Sequence, residues 1–127
     1  KNQTKYGKSG ISATQIKEIF AKVSSLVISQ RGFANPELSL KYLSEKLKVS
    51  PQSISQAVNQ ESNLNFNQYV NFYRVQEAIR LLEDESHRHL NVSAIAFEVG
   101  FNSLTSFNAA FKKHTGKTPS SFREGLI

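Results

Sequence analysis

The sequence predicts an all-α fold of about seven helices, and three observations carry that prediction. Apolar residues recur at spacings of three and four in segment after segment. Each such segment opens on a residue suited to cap a helix N-terminus. Finally, a pair of short helices about a tight turn occurs twice, on either side of one longer periodic stretch. Together these give two helix-turn-helix subdomains joined by a long central helix.

Taken in order, residues 1 to 11 read as a linker from an upstream region: Lys1 to Gly10 is polar, lysine-bearing and punctuated by glycine. Ser12 with Gln15 forms a capping box, opening a helix whose Ile16, Ile19, Phe20, Val23, Leu26 and Val27 make one apolar face covering the first lobe, residues 12–64. Arg31 to Glu37, with Gly32, Asn35 and Pro36, ends that helix. Ser39 to Leu47 is the next helix. Ser50 and Pro51 supply a cap and an N1 proline for another, running to about Gln60. Ile54, Ala57 and Val58 point inward there, leaving Gln52, Ser53, Ser55, Gln56 and Asn59 outward. Amide side chains of that kind can pair with adenine edges, although the same face would also suit plain solvation.

Asn65 with Gln68 is a second capping box, flanked by Leu64 and Tyr69 as a hydrophobic staple. Phe66, Tyr69, Val70, Tyr73, Ala78, Ile79 and Leu82 then mark the linking helix, residues 65–83. At ~1.5 Å per residue it spans roughly 28 Å, against about 34 Å for a turn of B-DNA. Its aromatics share the aliphatic stripe and are expected in the core. Asp84 to Leu90 is a polar loop with His87 and His89, too few ligands for a metal site. The second lobe, residues 91–124, begins with Val92, Ile95, Ala96 and Val99 behind an Asn91 cap, stopped by Gly100. Phe101, Asn102 and Ser103 turn the corner. Phe107, Ala110 and Phe111 define the following helix, with Lys112, Lys113 and His114 at its end; Leu104, Thr105, Ser106, Asn108 and Ala109 face outward. Thr118 and Pro119 start a last short helix that Phe122 anchors.

One such pair also arises in ordinary helical hairpins, so the second copy matters. Ser39, Leu40, Leu43, Ser44 and Leu47 align with Asn91, Val92, Ile95, Ala96 and Val99 at an offset of 52. Past the turn the offset is 53, pairing Ile54 with Phe107, Val58 with Phe111, Asn63 with Gly116 and Tyr69 with Phe122. Lys48 stands where the second copy has Gly100, which predicts either a mildly strained or a different turn.

A chain of 127 residues, 39% apolar, suits one compact domain with two lobes. Absence of cysteine excludes disulfides and thiolate metal sites, and no apolar run approaches a membrane span or a signal peptide. Absence of methionine predicts a piece of something larger. The net charge is +6: three lysines lie in residues 1–10, and Lys112, Lys113, Lys117 and Arg123 oppose only Glu124 after residue 100. Positive charge beside an outward helix face is what phosphate contact requires.

The segments AIAFEVGFNSLTSFNAAFKKHTGKTPSSFR and FYRVQEAIRLL resemble the DNA-binding domain of the AraC/XylS family of bacterial transcription regulators, over about residues 12 to 124. Lys48, Val58 and Asn63 depart from its pattern, as do Leu104 and Ala109, where family members commonly carry long polar or arginine side chains. The resemblance implies cytoplasmic double-stranded promoter DNA as partner, contact with RNA polymerase, homodimerisation through regions absent from this chain, and an effector or sensor domain upstream. The segment KYGKSGIS looks like the lead into such domains in regulators with a membrane or ligand-sensing module. Base contacts would fall to the ten outward residues named above. Phosphates would fall to Lys112, Lys113 and Lys117, assisted by Ser50, Asn102 and Ser103. No cofactor or metal is expected. A helical module that binds only protein is one rival; an enzyme is another, with no serine or carboxylate cluster, phosphate-cradling glycine loop or metal spacing to support it.

Overall fold

The structure, a computed structural model, describes residues 11–126, so all of the expected linker except Ile11 lies outside the described residues. Seven α-helices occur among the described residues: α1 (Ala13–Ser24), α2 (Leu40–Leu47), α3 (Pro51–Ser62), α4 (Phe66–Glu83), α5 (Val92–Glu98), α6 (Leu104–Thr115) and α7 (Pro119–Glu124). There is no strand among them. The expected all-α fold is therefore the observed one. Each start is set locally. Ser12 and Gln15 exchange the two bonds of a capping box, as do Asn65 and Gln68. Side chains of Ser39, Asn91 and Thr118 accept from the third residue of α2, α5 and α7.

The chain divides into two compact units. One comprises the residues up to Gln30 together with Glu37–Tyr69; the other comprises Arg31–Pro36 and the residues from Val70 onward. In the first unit, α1 packs mainly on α3, and α2 packs on α3 beside it. Ile16, Val23, Leu43, Ile54, Ala57 and Val58 are buried together with Val27, which lies in a π-helical turn (Ser25–Ser29) that continues α1. Tyr69 meets Phe20 edge-on at 5.6 Å and its hydroxyl lies 2.9 Å from that of Ser24.

In the second unit Val75, Ala78, Leu81 and Leu82 of α4 pack with Ile95, Ala96, Val99, Phe101, Phe107, Ala110 and Phe111. Phe101, Phe107, Phe111 and Phe122 form a ladder of tilted rings with successive centroids 5.2, 5.6 and 5.5 Å apart. Two features of α4 differ from expectation. Phe72 is 37% exposed rather than core, because it falls off the stripe formed by Val70, Val75, Ala78 and Leu82. Arg74, a charged residue, falls on that stripe and is buried.

Arg74 is satisfied by backbone. Its Nε donates to the Phe33 carbonyl at 2.6 Å and its Nη2 to the Asn35 carbonyl at 3.0 Å, while the guanidinium stacks 5.6 Å from the Phe101 ring centroid. Burial pushes its pKa down to about 10, which leaves it charged at neutral pH. The segment Arg31–Pro36 thus holds the second unit at its 3₁₀ turn, Gly32–Ala34, where Phe33 is buried. Arg31 enters that turn with φ 57°, pairs with Glu77 at 3.3 Å and lies over the Phe33 ring.

Candidate nucleic-acid interface

The duplication in the sequence extends to individual hydrogen bonds. Ser50 Oγ accepts from the Ser53 N–H at 3.1 Å and donates to Ser53 Oγ at 2.9 Å. Ser103 does the same with Ser106 at 3.1 and 3.0 Å. At the other end, Ser62 donates to the Val58 carbonyl and receives the Leu64 N–H, and Thr115 donates to the Phe111 carbonyl and receives the Lys117 N–H. Asn63 and Gly116 close α3 and α6 in the left-handed conformation, at φ 64° and 82°. Two helices of 12 residues are thus delimited alike, each preceded by a shorter helix and a turn.

Their outer faces are not alike. On α6, Leu104, Thr105, Ser106, Asn108 and Ala109 are all exposed, as are Lys112 and Lys113 beyond them. On α3, Gln52 and Asn59 are exposed, whereas Ser53, Ser55 and Gln56 are half-buried. Gln56 Oε1 is fully covered and has no hydrogen-bond partner among the described residues. Gln60, not among the expected contacts, is also exposed, and α3 continues past it to Ser62. Of the expected phosphate contacts, Lys112, Lys113 and Lys117 are exposed. Ser50 and Ser103 are engaged as caps, and Asn102 Nδ2 donates to the Pro36 carbonyl at 3.1 Å.

Electrostatics separate the helices further. Between Pro51 and Ser62 there is no cation, and Glu61 pairs with Lys17 at 3.3 Å. The last turn of α6 carries Lys112, Lys113 and His114, where the helix dipole favours positive charge. His114 is held below its ordinary pKa, first by burial and then by the Lys113 charge; its ring meets Phe72 edge-on at 5.7 Å. Arg74 and Lys48 are the residues that periodicity alone does not single out. Arg74 stands as a lone arginine on an apolar stripe, and Lys48 occupies the place of a turn glycine.

The described residues contain no group of three or more His, Cys, Asp or Glu able to hold a metal. His87 Nδ1 lies 3.0 Å from Asp84, whose side chain caps the 3₁₀ turn Glu85–His87. No helix among the described residues is long and apolar enough to cross a membrane.

A family profile described as a helix-turn-helix domain matches residues 43–125. The chain is 36% identical over 107 residues to the uncharacterized transcriptional regulatory protein YesN of Bacillus subtilis (strain 168). That match covers 83% of this chain and 28% of YesN, so the chain spans less than a third of this curated relative. Among solved structures it is similar to the C-terminal domain of AraT, a response regulator from Geobacillus stearothermophilus. There the TM-score is 0.70 at 28% identity, covering 87% of this chain and 84% of that one. The fold is also that of the DNA-binding domain of AdpA, a global transcriptional factor solved with a target DNA: TM-score 0.68, 20% identity, covering 87% and 90% of the two chains.

Proposed function

The chain belongs to the AraC/XylS family of helix-turn-helix transcription regulators, and we propose that it binds double-stranded promoter DNA with α3 and α6 as its two reading helices. The observation that carries this reading is the paired delimitation of α3 and α6, each leaving a polar or small-residue face in solvent beside a turn. On α6, Thr105 and Asn108 would bond base edges, while Leu104 and Ala109 would meet thymine methyls. On α3, Gln52 and Asn59 are the amides best placed for adenine. Lys112, Lys113 and Lys117 would hold phosphates and fix the register.

In this reading residues 12–64 and 91–124 each deliver one helix to a major groove, adjacent grooves being served through the linking segment 65–83. No catalytic step is assigned. The domain works in the bacterial cytoplasm; an upstream sensor, RNA polymerase and a second copy bound through other regions complete its partners.

Duplex binding measured against salt tests the proposal. The logarithm of the affinity should fall linearly with the logarithm of salt, and Lys112→Ala/Lys113→Ala should reduce the slope by about 1.8, roughly 0.9 for each phosphate no longer neutralised. An unchanged slope would remove the lysines from the interface. Wild-type protein indifferent to duplex and salt would leave the protein-binding rival standing.

A further inference from the structure

Among the described residues, three other than glycine adopt a left-handed backbone: Arg31, Lys48 and Asn63. Two of them have evident local reasons. Arg31 gains an ion pair with Glu77 and a stack on Phe33, and asparagine tolerates this conformation as a helix C-cap. Lys48, at φ 60° and ψ 42°, ends α2 with its N–H on the Ser44 carbonyl at 2.9 Å. Its side chain is exposed, and its ammonium has no ion pair or hydrogen bond among the described residues. Glycine would close the same turn more easily, and the second copy of the motif has Gly100 at this register. A left-handed lysine lowers the folding equilibrium constant about five-fold or more relative to an unstrained residue.

A side chain kept at such a cost without a contact points to a partner outside the chain, and the charges say which kind. α6 brings Lys112 and Lys113 to its own groove, but α3 brings none. The first unit must therefore find its backbone cations elsewhere, and Lys48 sits in the turn that leads into α3, two residues before the Ser50 cap. It shares a cleft of about 280 Å³ with Lys22 and Ser53; Gln15 and Glu18 also line it, and neither pairs with Lys48. We propose that Lys48 is the phosphate anchor of the first unit, its ammonium supplying from the turn the DNA-backbone contact that α3 lacks. This rests on the DNA-binding reading above and adds to it a residue in the other unit.

The test uses the whole 127-residue chain with two duplexes of equal length, one selected from a random pool by the wild type and one unrelated. Lys48→Gln removes the charge. It should weaken both duplexes by the same factor and make the slope of log affinity on log salt shallower by about 0.9. Lys48→Arg should keep the slope. Lys48→Gly should match the glutamine variant in binding while its unfolding constant, from urea titration, falls about five-fold. A wild-type slope of several ions left unchanged by Lys48→Gln would overturn the anchor and spare the DNA reading, and loss confined to the selected duplex would overturn it in favour of base contact. A wild type that binds neither duplex would sink both.

Discussion

Gly100→Ala is the substitution whose cost is most fully determined by the surrounding atoms. Gly100 has φ +110°, and a Cβ there would collide with the Phe33 carbonyl oxygen and stand 2.8 Å from Arg74 Nε. Those two atoms are themselves joined by the 2.6 Å hydrogen bond that satisfies the buried guanidinium. The backbone conformation alone costs about 1–2 kcal/mol for a residue with a Cβ. Displacing the carbonyl also loses a charge-assisted bond worth about 1.5–3 kcal/mol, for a total of roughly 3–5 kcal/mol. At about 4 °C per kcal/mol for a domain of this size, Tm should fall by roughly 12–20 °C. Gly116→Ala is the internal control: φ is +82°, but nothing lies within 4 Å of the added Cβ. Only the conformational cost of about 1–2 kcal/mol should remain there. Calorimetry and urea unfolding of the two variants decide the matter. Equal losses would refute the claim that the Phe33 and Arg74 contacts, rather than the dihedral angle, make glycine obligatory at the second turn.

Two more outcomes follow from the same contacts. Ser103→Ala and Ser50→Ala each remove a cap hydroxyl that accepts the N–H three residues on at 3.1 Å, so each should cost about 1 kcal/mol by urea titration; a cost at only one would mean the two caps are not equivalent. Glu77 accepts from Arg80 at 3.0 and 2.6 Å and pairs with Arg31, and these contacts, Arg80 first, hold its carboxyl below the ordinary value of 4.5. A depressed carboxylate stabilises fully above its unfolded pKa, and that stabilisation disappears as pH falls through the folded value. Wild-type Tm should therefore drop more steeply than that of Glu77→Gln on acidification below about pH 5, and parallel curves would exclude the triad.

Much of the fold was legible because helix starts are local. Ser12 with Gln15, Ser50 with Pro51, Asn65 with Gln68, and Thr118 with Pro119 all act within one turn of chain, and a short window suffices to see them. The exposed front of α6 followed from helical period for the same reason. On α3 the period placed Gln52 and Asn59 correctly in solvent but could not foresee that Ser53, Ser55 and Gln56 would be partly covered by neighbouring elements. Arg74 escaped because its burial depends on two carbonyls about forty residues away in sequence, at Phe33 and Asn35, which no local pattern connects to it. The pairing of Lys48 with Gly100 in the two copies did flag an unusual turn, and the left-handed lysine is that turn.

The six residues from Arg31 to Pro36 give the chain a practical grammar. Someone trimming the second unit for grafting onto another protein would naturally cut just before the linking helix, or at residue 43 where the family profile's match begins. Either cut discards the carbonyls of Phe33 and Asn35 and strands an arginine in an oily interior. The transplantable cassette must carry its early hexapeptide, and a ribosome making this protein must release that strip well before the pocket it completes exists.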